Sequence, residues 1–377
     1  MALSDTAALD APTPYRDGKR YLWLLAFIPP IVPLFSFWLY AQTGDARATL
    51  IPALFIFGLI PLLDALIGED RHNPPAEAVA AMEADPYYMR IVRLITPFAW
   101  INYIATVVFL GANALPWWSY VALLLGIGVI NGGVLLIGHE LGHKTDRLNR
   151  AFAFLANNAV GYAHFRIEHN RGHHTWVATP EDPASARYGE SIYAFARREL
   201  PGCFLRGWRT EAERLQRRGL PVWSWRNEIL AGYALTLGVA GLLIALFGWI
   251  AAPFIVLHHF LGWYALTQAN YVEHYGLLRQ KTPDGRYEAV APRHSWNTNH
   301  IVSNLVSFHL QRHSDHHANP LRPYQCLRDF DDLPRLPSGY PGCFVLAAIP
   351  PLWFRTMNPK VMDWAGGDIA KVNLGRR

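Results

Sequence analysis

The sequence predicts an all-α, polytopic membrane protein of about six spanning helices with a helical cytosolic cap, and three observations lead there. The chain is 51% hydrophobic and only 17% charged, well short of the roughly one quarter charged that soluble domains carry. Six apolar runs each have the roughly 20 residues needed to cross a hydrocarbon core of about 30 Å. Histidines gather in short clusters just beyond the ends of those runs.

Residues 1–20 are expected to form a cytosolic N-terminal segment. Asp5 and Asp10 occupy the place of the basic region of a secretory signal, so the first apolar run should stay in the membrane. Spans are expected at residues 21–40, 48–67, 91–112 and 116–137, a membrane region covering 21–137. Pro29, Pro30 and Pro33 should kink the first. Residues 138–229 make a polar region too long for a plain loop, in which the apolar stretch 151–163 is too short to span comfortably. Spans at 230–250 and 253–271 complete a second membrane region, 230–272. In the tail, 273–377, the apolar stretches 301–310 and 342–353 should be partly buried pieces of the cap.

Arg16, Lys19 and Arg20 precede the first span, and only Arg47 falls in the loops of the far side. Most other basic residues lie in 138–229 and after 273, so the positive-inside preference puts both regions in the cytosol. Every histidine cluster then shares one compartment. The net charge of +5 has no concentrated basic domain behind it, which gives no footprint for nucleic acid.

The chemistry centres on HELGHK, where His139 and His143 stack on one helix face. Taken alone, His139-Glu140-Leu141-Gly142-His143 is also the zinc protease pattern H-E-x-x-H, with the glutamate as general base. That reading needs one more ligand, and the chain offers far more. His169, His173 and His174 lie in EHNRGHH, and His313, His316 and His317 in QRHSDHH. A single zinc takes three or four ligands, so these eight histidines fit two metal ions better than one. His274, in NYVEHYG at the end of the sixth span, lies at the depth of His143 and makes a ninth. Cys203, Cys326 and Cys343 form no C-x-x-C pair and no glycine-rich dinucleotide fingerprint appears, so electrons for any redox step come from outside the chain.

HELGHK, EHNRGHH, NYVEHYGL and LQRHSDHHA, together with PLLDALIGED, VATPEDPASARYGESIY, HSWNTNHIVSNL and PKVMDWAGGD, resemble the integral-membrane alkane monooxygenases of bacteria. These are relatives, by histidine pattern, of the membrane fatty-acid desaturases and hydroxylases. The resemblance covers most of the chain from Tyr21 onward, and NYVEHYG favours the alkane branch. It implies that His139, His143, His169, His173, His174, His274, His313, His316 and His317 bind two non-haem irons. It implies hydroxylation of the terminal methyl of medium-chain n-alkanes with O2, in the bacterial inner membrane, at a site on the cytosolic side. The implied electron donor is rubredoxin, itself reduced by a flavin- and NADH-dependent reductase. A fatty-acyl desaturase or hydroxylase would keep the same metals and change the channel. A zinc protease would leave most of the histidines unused.

Glu140, Glu168, Glu273 and Asp315 each adjoin a ligand histidine. Adjacent helix positions point about 100° apart, so these carboxylates are expected to accept hydrogen bonds from ring N–H groups. His309, four residues before His313, is given a supporting or packing role. His294 and His300 are candidates for hydrogen-bonding support, His258 and His259 for packing inside the sixth span, and His72 and His164 carry no spacing argument. The alkane is expected to lie along the faces that carry His139 and His274, against Gly132, Leu135 and Leu136 on one helix and Trp263, Thr267 and Asn270 on the other. Arg197, Arg198, Arg206, Arg209, Arg214, Arg217 and Arg218 form a basic run that could receive an acidic donor protein.

Overall fold

The apolar runs fold as helices because lipid leaves every backbone N–H and C=O to be satisfied within its own segment. The computed structural model describes residues 15–249 and 251–375; residues 1–14 of the expected N-terminal segment and the last residue of the 230–250 run lie outside the described residues. Five described helices are long and apolar enough to cross a membrane: α1 Leu22–Thr43, α2 Ala46–Ile67, α3 Pro86–Ala112, α4 Trp117–Gly142 and, after the more polar helix α5 Ile192–Gln216, α6 Glu228–Phe247. The chain is therefore a membrane protein, and its outer faces carry exposed leucines such as Leu62, Leu66, Leu237 and Leu246.

The sixth expected span is one helix of 24 residues, α7 Ala251–His274, but it is not among those five. His258, His259, Gln268, Asn270 and Glu273 dilute its apolar character, and all five are buried. An inner helix needs no apolar coat: His258 Nε2 lies 2.9 Å from Asn131 Nδ2 of α4, and its ring stacks on Tyr103 of α3 at 4.9 Å. α4 and α7 cross closely because glycine lines the contact. A Cβ at Gly128 would stand 2.6 Å from the Leu261 Cβ, and one at Gly132 would stand 2.7 Å from the Ala265 Cβ and 3.0 Å from the Gly262 carbonyl oxygen.

Prolines act differently from a simple kink. Leu22–Phe27 is a 3-10 turn, and Pro29 and Pro30 open the α-helical part Ile28–Thr43, where a missing N–H costs nothing; only Pro33 lies inside it. In α2, Pro61 cannot donate to the carbonyl one turn earlier, and the turn before it, Phe55–Leu59, widens to a π-helix.

The cap returns beneath α4. Asp146 caps the helix Arg147–Asn158 by accepting from the Asn149 N–H at 2.9 Å, and a tight turn then leads into Phe165–Glu168. After α7 the chain forms Ile301–Val306, His313–Ala318, Tyr340–Ala347 and Pro350–Trp364. Two polar ties lock this tail to the membrane helices. Asp64 of α2 accepts from the Ser303 N–H at 2.9 Å, and the fully buried Arg312 donates to the carbonyls of Asp70, His72 and Leu327.

Candidate metal centre

Four segments meet under the bundle. The last turns of α4 present His139 and His143 on one face, and α7 ends on His274. Between Phe165–Glu168 and α5 the residues His169–His173 form a π-helical turn, fastened to α4 by Asn170 Nδ2 donating to the Gly142 carbonyl at 2.8 Å. The wider turn brings His169 and His174 together with rings perpendicular, Nε2 to Nε2 at 3.0 Å, and turns His173 elsewhere. On the short helix His313–Ala318, His313 and His317 lie one turn apart in one set, while the His316 ring, stacked beside His313 at 5.7 Å, joins the other.

The nine histidines thereby sort into two sets. His139, His143, His169, His174 and His316 form one, His173, His274, His313 and His317 the other, and within each the candidate donor atoms lie within 4.8 Å of one another. Ring nitrogens face each other without an intervening donor chain: His316 Nε2 to His174 Nε2 at 3.2 Å, His317 Nε2 to His313 Nε2 at 2.8 Å. The Nε2 atoms of His139, His143, His173 and His274 are buried and have no hydrogen-bond partner. A buried polar atom left unpaired costs about 1–3 kcal/mol. A cation shared by each set would satisfy these lone pairs together, so the residues fit metal ions.

The supporting contacts differ from simple adjacency. Glu273 does meet a ligand ring, with Oε2 3.2 Å from His313 Nε2, while its Oε1 accepts from the Tyr340 hydroxyl at 2.7 Å. Glu140 instead pairs with Lys144 at 3.0 Å, Glu168 with Arg206, and Asp315 with Arg322. His309 sits on the Tyr324 carbonyl at 3.2 Å and edge-on to Trp23. The residue that holds His173 is Asp182, whose Oδ2 lies 2.9 Å from the ring Nδ1 and which also accepts from Ser185 and Arg206, each at 2.7 Å. Burial works against its charge, yet the His173 ring and the Arg206 guanidinium hold its carboxyl well below the usual carboxylate range. Asp182 lies nine positions from His173 across a loop, so helical spacing gave no sign of it. Ser295, whose hydroxyl is 3.5 Å from His274 Nδ1, was equally hidden.

An apolar cavity of about 110 Å³ lies one to two turns before His139, walled by Gly132 and Leu136 of α4, Ala265, Leu266 and Ala269 of α7, and Tyr340. Of the six residues placed along the substrate path, Gly132 and Leu136 line it. Leu135 is buried in the neighbouring core, Trp263 Nε1 donates to the Val160 carbonyl at 2.6 Å, and Thr267 and Asn270 bond Glu199 of α5.

His143 also borders a cleft of about 490 Å³, with Lys144, Arg150, Arg171, Arg218 and Arg226 around it. Arg166 and Arg214 line the same cleft and are paired with Glu228 and Glu211. From the basic run on α5 and the turn after it, Arg214 and Arg218 reach this cleft; Arg198 is tied to Glu190, and Arg206 is turned inward.

A fatty acid desaturase family model matches residues 115–346. The alkane 1-monooxygenase of Ectopseudomonas oleovorans is 51% identical over 97% of this chain and 91% of its own. That of Pseudomonas putida is 49% identical over 98% and 92%, and alkane 1-monooxygenase 1 of Alcanivorax borkumensis 48% over 96% and 89%.

Proposed function

The chain belongs to the alkane 1-monooxygenases, and from that premise we propose that it hydroxylates the terminal methyl of medium-chain n-alkanes at a centre of two non-haem irons, with rubredoxin as electron donor. Its membrane is the bacterial inner membrane, with the histidines on the cytosolic side. The observation that carries the two-metal reading is the division of nine buried or nearly buried histidines into a set of five and a set of four.

Imidazole suits iron and zinc alike, but an unactivated methyl group demands a metal that changes oxidation state. Iron held by the two sets would supply dioxygen reduction and the power to remove hydrogen from carbon. The residues of the chain do the rest. Leu136, three residues before His139, gives the alkane a dry wall together with Leu266 and Ala269, which excludes water from the chain end. Asp182 fixes the orientation of His173 through the ring nitrogen that faces away from the set. The cleft beside His143 offers a positive surface to a small acidic donor, and puts it next to a ligand ring.

The test is turnover by the purified iron-loaded protein with reduced rubredoxin and O2. The reading predicts 1-octanol from octane. Preference for a fatty-acyl substrate, the activity of the wider family that matches residues 115–346, would replace it.

A further inference from the structure

α5 and α7 enclose a carboxyl group that nothing above employs. Glu199 is 0% exposed, and its neighbours are neutral: Thr267 Oγ1 donates to Oε2 at 2.8 Å, Asn270 Nδ2 to Oε1 at 3.1 Å, and Cys203 Sγ lies 3.7 Å from Oε1. Of the other buried carboxylates near the histidines, Glu273 is engaged by Tyr340 and the His313 ring, and the rest have basic partners: Glu140 has Lys144, Glu168 and Asp182 share Arg206, and Asp315 has Arg322. A carboxylate with a permanent cation beside it stays ionised at neutral pH and carries no proton. One in dry surroundings with neutral donors can exist in either form.

We propose that Glu199 is a proton-carrying residue of the hydroxylation reaction, taking protons from the cytosolic side and releasing them toward the four-histidine set. The inference rests on the monooxygenase reading. Conversion of alkane and O2 to alcohol and water consumes two electrons, which the donor protein supplies, and two protons, which must cross a buried shell. On release, the O–H bond of Glu199 breaks and the electron pair stays on the carboxylate, which Thr267 and Asn270 then stabilise. A proton from solvent restores the acid.

Position supports this role. Asn270 is one helical turn before His274 on α7, so the donor that holds Glu199 is anchored directly above a ligand of that set. On α5, Cys203 and Arg206 continue from Glu199 toward the site, and Arg206 contacts Asp182, which holds His173, another member of the set. Both helices therefore lead from Glu199 to the same four histidines. Burial pushes the Glu199 carboxyl up to about 7; the Thr267 and Asn270 bonds and Cys203 pull it down, and the Glu168 carboxylate pushes it further up. Tyr162, whose buried hydroxyl has no partner, is the other titratable group within its electrostatic reach.

Glu199→Gln keeps the shape and removes the proton. In the holoenzyme the proposal predicts metal content and folded yield like wild type, with octane turnover lowered ~100-fold or more, the scale of a lost acid-base group. Glu199→Asp should recover part of that loss. Independently of turnover, the wild-type minus Glu199→Gln infrared difference spectrum of the holoenzyme should show a protonated-carboxyl C=O band that fades as pH rises through about 7, which separates Glu199 from Glu273, present in both proteins. Turnover of Glu199→Gln within about twofold of wild type would overturn the proposal, and so would the lack of such a band. If Glu199→Gln fails to hold metal, the infrared titration of wild type against Glu199→Asp decides by the same criterion. Wild type that makes no octanol while still showing the band would instead sink the monooxygenase reading.

Discussion

His173 and His174 are neighbours in the chain and belong to different metal sets. The sequence marks both as ligands but cannot divide them, because the division depends on the π-helical turn His169–His173, which α5 shapes from outside. A Cβ at Gly172 would run into Arg206 Nε, the guanidinium that also holds Asp182 and Glu168. Set size has a consequence for substitution. His274→Ala leaves three members of a four-histidine set, whereas His143→Ala leaves four of a five-histidine set. Metal analysis should find roughly one equivalent lost in the first and a smaller loss in the second, with hydroxylation abolished in His274→Ala; equal retention by both would argue against the sorting. Glu140 faces Lys144 rather than a ligand ring, and the pair is largely buried, so Glu140→Gln should lower folded yield by leaving Lys144 unpaired while the folded protein keeps its metal and turnover, where a protease would lose its base. The pH dependence of stability adds a signature for Glu199. Its carboxyl is raised from 4.5 to about 7 in the fold, so its stabilising effect is complete below about 4.5 and is lost as pH rises through about 7. Thermal unfolding should therefore show Glu199→Gln gaining on wild type between those limits, by on the order of 1–3 kcal/mol, and keeping a constant lead above them.

Helix α7 shows which features of an element are readable. Its extent, and the arrival of His274 at its last residue, follow from the apolar run and NYVEHYG. The direction of its polar face does not. Thr267 and Asn270 look like residues along a substrate path by their spacing from His274, but their partner Glu199 lies 68 and 71 positions earlier on another helix. Only the packing of α5 reveals that. Gly132 has a double position, lining the cavity and lying against the α7 backbone at Gly262. Packing governs its substitution: Gly132→Ala should cost about 1–3 kcal/mol as an overpacked contact, lowering folded yield and metal together, because it separates the helices that carry His139 and His274. Leu136 lines the cavity with a side chain that can change length. Leu136→Phe should shift preference toward shorter alkanes with metal content unchanged; product chromatography across a chain-length series reads this directly, and an unshifted profile would move the substrate elsewhere.

At the scale of the molecule, the histidine clusters were expected to share one side, and the structure brings all of them together. The surface was less legible. The basic run of α5 and the turn after it is contiguous in sequence, yet Arg206 is consumed inside, while the cleft beside His143 draws Arg150, Arg171, Arg218 and Arg226 from separate segments. Reversing charge at Arg171 and Arg218 should raise the KM for rubredoxin severalfold at low salt and little at high salt, because exposed charges are screened beyond about 8 Å at physiological ionic strength. The central claim is that four segments of one chain bring nine imidazoles together as two iron sites. Elemental analysis of protein purified without added metal tests it most directly: the account predicts two irons per chain and little zinc, and a single zinc per chain would contradict it.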